Sequence, residues 1–152
     1  MKKFLIVSAG ALLVLAATAA IGHAQSVDIV TADIPFQFTA NGAPMPAGNY
    51  EISVTNANNP DVWVIHEVDG TKEEMAVTNI TQREDPAPQT ELIFDDLGND
   101  HFLRQIWIEG RLDGRELAVT KQEKELEKQG VAKSRHHVPA THTTHPSHSM
   151  KH

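Results

Sequence analysis

From Val30 onward an apolar residue falls at every second position, through Ala32, Ile34, Phe36 and Phe38, and this predicts a strand with one buried face. Pro35 sits on the opposite parity and has no backbone donor, so the strand is expected at an edge or with a bulge there. Asn41-Gly42 and then Met45-Pro46-Ala47-Gly48 carry turn chemistry and reverse the chain. Alternation resumes at Tyr50, Ile52 and Val54. The unbroken apolar run Val62-Trp63-Val64-Ile65 predicts a strand covered on both faces. Asp69-Gly70 is a hairpin signal leading to Met75, Val77 and Ile80. After a polar loop from Arg83 to Gln89, the runs Leu92-Ile93-Phe94 and Phe102 to Ile108 flank a turn centred on Gly98. Local hairpins at this spacing predict an all-β fold, a six-stranded antiparallel meander forming a small barrel or a sandwich.

The period is lost after Gly114. Thr120 with Glu123 three residues on is a capping box, and the good helix formers to Gln129 end at Gly130, so residues 115–130 are expected to hold a short C-terminal helix. Leu126 is the one large apolar residue from Lys121 to Gln129. Residues 131–152 are rich in Pro, Thr, Ser and His without any apolar period, and they predict a disordered His-rich tail.

The N-terminus reads differently again. Lys2 and Lys3 precede an apolar run from Phe4 to Ile21, and Gly22-His23-Ala24 closes it with small residues, the layout of a secretory signal peptide. Residues 1–24 are therefore expected to be removed, leaving the β-domain 25–114 in the periplasm or outside the cell. The absence of cysteine excludes thiol catalysis, disulfide support and cysteine lipidation. A formal net charge of -7 argues against a nucleic-acid surface, and no membrane span is expected after cleavage.

The stretches "IPFQFTANGAPMPAGNYEI", "LIFDDLGNDHFLRQIWIEG" and "GRELAVTKQEKELEKQG" resemble a group of small exported proteins of acidobacterial type, with an I-P-F-x-F, P-A-G-x-Y, F-L-x-x-[IV]-W and G-R-E-L pattern. The resemblance runs from about Ile34 to Gln129. It implies a shared fold and an exported address, and no reaction. Ala118-Val119 departs from it where a proline is expected soon after Leu117.

Chemistry is sparse. Asp95, Asp96, Asn99 and Asp100 offer oxygen ligands, but turns enrich these residues for conformational reasons and the spacing is not that of a calcium loop. His66 and His101 are candidate general bases whose sequence neighbours Glu67 and Asp100 face the opposite way on a strand, which leaves both histidines as surface residues. Trp63, Trp107 and Tyr50 are read as packing residues before a ligand surface. In the tail, His142, His145 and His148 recur every third residue, so in a polyproline II segment they would share one side, with His136, His137 and His152 in reach. Such imidazoles could hold zinc or copper weakly; no other cofactor is expected.

The resulting expectation is a non-catalytic envelope β-domain that binds an envelope component, a polysaccharide or a small ligand. Two alternatives stand beside it: a metal-binding or metal-buffering protein acting through its tail, and an unrecognised hydrolase.

Overall fold

A computed structural model describes residues 26–56 and 58–146. The signal segment expected at 1–24, together with His148 and His152, lies outside the described residues. In chain order the elements are β1 (Ser26–Ile34), β2 (Phe38–Ala40), β3 (Ala43–Met45), β4 (Gly48–Val54), β5 (Val62–Glu67), β6 (Glu73–Gln82), β7 (Glu91–Leu97), β8 (Asp100–Trp107), β9 (Asp113–Leu117), α1 (Lys121–Lys128), β10 (Lys133–Pro139) and β11 (Thr141–Pro146). The fold is all-β, as the alternation predicts.

The strands follow one hydrogen-bonded path, β10-β7-β8-β9-β6-β5-β4-β1-β11, with β2 pairing β3 and β8 beside it. Pairing along this path is antiparallel throughout, and the lone parallel contact among the described strands sets Thr39 of β2 beside Phe102 of β8. Two meanders, β4-β5-β6 and β7-β8-β9, are joined where β9 pairs β6. The path is not closed into a barrel. Its two ends, β10 and β11, are consecutive in sequence and meet at Ala140, whose N–H donates to the Thr90 carbonyl at 2.9 Å.

The six strands read from alternation are β1, β4, β5, β6, β7 and β8; five more accompany them. The first strand stops at Ile34, because Pro35 cannot extend the ladder, and pairing resumes at Phe38. Val30, Ala32, Ile34 and Phe38 are buried on one face as expected, whereas Phe36 in the break is only partly buried. Asn41 and Gly42 both have positive φ, 49° and 85°, the geometry of a type I′ turn that closes β2 on β3. The run Val62–Ile65 is not covered on both faces: Trp63 and Ile65 are buried while Val62 and Val64 are half-exposed. The strands buried on both faces are β7 and β8.

The main core joins Ile34, Phe38, Tyr50, Ile52, Trp63, Ile65, Phe94, Leu103, Ile106 and Leu117. Phe38 makes edge contacts with Tyr50 and Phe94 at centroid distances of 5.1 and 5.5 Å. A smaller cluster of Ala87, Ile93 and Trp107 lies apart from it. The polar loop Arg83–Gln89 docks there, with Ala87 exchanging backbone hydrogen bonds with Gly110 and Arg111 at 2.9 Å and Arg83 stacked over Trp107 at 4.4 Å.

Two further sequence expectations, on the C-terminal segments, need correction. Residues 115–117 belong to a strand, β9, and not to the helix; a Cβ at Gly114 would lie 2.7 Å from the Trp107 ring and 2.9 Å from the Ile106 carbonyl, so glycine is what lets β9 pass this closely. The described part of the predicted disordered tail, 131–146, instead forms β10 and β11, the strands that end the sheet on each side. An edge strand needs backbone partners more than an apolar face, and Val138 is the buried side chain of this segment.

Candidate functional site

The C-terminal segment is laid along an acidic border. Lys133 reaches Asp95 at 3.0 Å, and Arg135 lies 3.6 Å from the other oxygen of the same carboxylate. His136 sits 3.7 Å from Asp96, His137 sits 3.0 Å from Glu91, and His142 Nε2 sits 2.8 Å from Asp28 Oδ1. Asp96 also meets His101 at 2.6 Å, and the half-buried Phe36 ring lies against both the His101 and His136 rings, at centroid distances of 4.2 and 5.0 Å.

The tail histidines are therefore separated and not gathered. On an extended strand, side chains alternate with period two, so His136 and His137 face opposite ways, as do His142 and His145. The shared side expected from a three-residue repeat needs a polyproline helix, and the ladder between β1 and β11 excludes that conformation. Among the described residues no group of three His, Asp or Glu side chains is placed to hold a metal ion. Asp95 and Asp96 also part company, Asp95 joining Arg104 and Asp96 joining His101. The body histidines do find carboxylates, each directly across a hairpin: His66 is the ladder partner of Glu73 and His101 that of Asp96.

Asp28 links this border to a cavity. It accepts two hydrogen bonds from Arg111, both of 2.7 Å, besides its contact with His142. Burial alone would raise its pKa, but the bonds from Arg111 and His142 outweigh that and hold the carboxyl below its ordinary value of 3.8. The cavity beside it, of about 140 Å3, lies where the ends of β1, β4, β5, β8 and β9 come together. Val54, Trp63, Ile106 and Ile108 give it apolar walls, and Asp28, Arg111, Asp113 and Arg115 supply charged groups around it. Trp63 is fixed by an Nε1–H bond to the Pro60 carbonyl at 3.1 Å. Arg115, largely buried, donates to Asp61 at 2.8 Å, and that partner is mostly in solvent, with its side chain 56% exposed.

No protein-family model matches the chain, and comparison with curated proteins and with solved structures finds no match either.

The arrangement can hold a small molecule with an apolar body and place a polar group against an arginine. Trp63 and Tyr50 pack as the sequence suggests, with Trp63 also lining the cavity and Tyr50 buried with its hydroxyl donating to the Pro46 carbonyl at 2.6 Å. Trp107 packs too, under the Arg83–Gln89 loop. Asp28 and Arg111 carry no motif, and Arg115 stands in the G-R-E-L stretch with nothing there that points to a cavity. They come together from segments as far apart as residues 28 and 115, a separation that no local pattern encodes.

Proposed function

We propose that this chain is an exported, non-catalytic β-domain of the cell envelope that acts as a binding module, taking a small ligand or an exposed group of an envelope component or polysaccharide into the cavity beside Asp28. The observation that carries this reading is the cavity itself: a buried tryptophan and aliphatic walls with converging charged groups, the usual composition of a ligand site. The signal-like segment at residues 1–24 supplies the exported address. Among the described tail histidines, His137 and His142 are each hydrogen-bonded to a different carboxylate of the sheet, which favours a binding domain over a metal buffer.

The test is a fragment screen on the isotope-labelled protein followed by amide chemical shifts. Ligands should perturb Ile106, Ile108 and the Trp63 indole. Shifts confined to the C-terminal histidines on adding zinc or copper, with a silent cavity, would replace this reading with the metal one. Turnover of a screened ester would replace it with a hydrolase.

A further inference from the structure

The geometry points to the cavity as a site for a compact monocarboxylate, an anion of benzoate size with an apolar ring or branched chain, held by Arg115; this rests on the binding-module reading above.

The volume sets the size of the apolar body. An aliphatic-lined cavity of about 150 Å3 takes up a benzene ring, and this one is about 140 Å3 with Val54, Trp63, Ile106 and Ile108 around it. A planar or branched group of about six carbons fills it.

The charge follows from how the two arginines are satisfied. Arg111 has both terminal nitrogens on Asp28, in the paired geometry that saturates a carboxylate fork. Arg115 is different. Its side chain is 17% exposed, it donates one bond through NH1 to an Asp61 that is largely in water, and a guanidinium has five donors. None of its nitrogens is buried without a partner, so among the described residues the donors that Asp61 leaves open meet water that an anion can replace, and a carboxylate offers the planar pair of oxygens that matches the fork. Asp28 and Asp113 line the cavity beside Arg111 and Arg115, so the lining carries no surplus positive charge for a second anionic group and the ligand is limited to one.

The experiment compares benzoate with benzyl alcohol, equal in ring and different in charge, on the full chain by calorimetry and amide shifts at Ile106 and Ile108. Benzoate should bind about tenfold tighter, the worth of one charge-assisted bond. Arg115→Gln should erase that preference and leave benzyl alcohol unchanged. Val54→Phe, which fills the cavity, should abolish both, with the Arg115→Gln result standing alone if that variant does not fold. Equal binding of the two probes, or a benzoate preference that survives Arg115→Gln, would overturn the carboxylate assignment and leave the cavity as a neutral site. Failure of both probes to perturb Ile106 and Ile108 would overturn it together with the binding-module reading.

Discussion

Glu123 on α1 and Arg104 on β8 form a buried ion pair that fastens the helix to the sheet. The helix has almost no apolar stripe, and its buried residue is this charged one. Arg104 is the extra residue of a β-bulge: Ile93 pairs Gln105 while Phe94 pairs Leu103, so Arg104 has no ladder partner. A bulge re-aims a side chain, and here it lets one guanidinium bond Asp95 at 2.8 Å, the Leu117 carbonyl and Glu123. Glu123 closes the capping box as well, accepting from the Thr120 N–H at 2.6 Å.

Removing one member of such a cluster leaves the others charged and buried. Arg104→Ala should cost about 3–5 kcal/mol in chemical denaturation. Arg104→Met combined with Glu123→Leu should cost less than the sum of the two single changes, because the pair is desolvated together. Additive costs would show that the two groups do not interact.

Truncation after Gln129 removes β10 and β11 and uncovers both ends of the sheet path. The edges of β7 and β1 lose their ladders, Asp95 loses Lys133, Glu91 loses His137 and Asp28 loses His142. The thermal midpoint should fall by on the order of 10 °C, about 4 °C or more per kcal/mol for a domain of this size. A midpoint identical to that of the full chain would mean that the C-terminal strands are not part of the folded unit.

The contrast between this segment and the body shows what the sequence makes legible. Strands with one face in the core announce themselves by period, as Val30, Ala32 and Ile34 do, and Thr120 with Glu123 announces a helix start because both bonds of the box are local. Strands β10 and β11 bury little beyond Val138, and their side-chain partners lie far away in sequence, His142 on Asp28 being 114 residues apart. A pattern read over neighbouring residues has nothing there to detect. One signal was present: the cationic and imidazole residues Lys133, Arg135, His136 and His137 match the acidic strand Glu91, Asp95 and Asp96. The cavity is illegible for the same reason, since its walls come from separate strands and nothing local marks Arg111 or Arg115 as facing it.

Around Pro35 the two phenylalanines should separate. Phe38 is 2% exposed in the main core, so Phe38→Ala should cost about 3–5 kcal/mol. Phe36, half-buried between Phe94, His101 and His136, should cost about half as much. Gln37→Ala, at an exposed position, should be nearly silent in the same urea titrations. Equal losses for Phe36 and Phe38 would place the break in the strand elsewhere.

Stability should fall at both ends of the pH scale for identifiable reasons. Asp28, bonded by Arg111 and His142, and Asp95, bonded by Arg104 and Lys133, overcome the opposing effect of burial and sit below the ordinary 3.8. Carboxyls depressed by folding stabilise above their unfolded value, and that contribution is lost as pH falls below 3.8 through the depressed values. Tyr50 behaves oppositely. Burial, and then the nearby Glu67 charge, push its hydroxyl from 10.0 up to about 12. A raised phenol stabilises fully below 10 and loses that contribution as pH climbs from 10 toward 12. Tyr50→Phe, although it gives up the bond to Pro46, should therefore flatten the alkaline limb of the denaturation midpoint, and Asp28→Asn should flatten the acid limb. If Tyr50→Phe leaves the alkaline limb as steep as before, some other group titrates there and Tyr50 is not held protonated by the core.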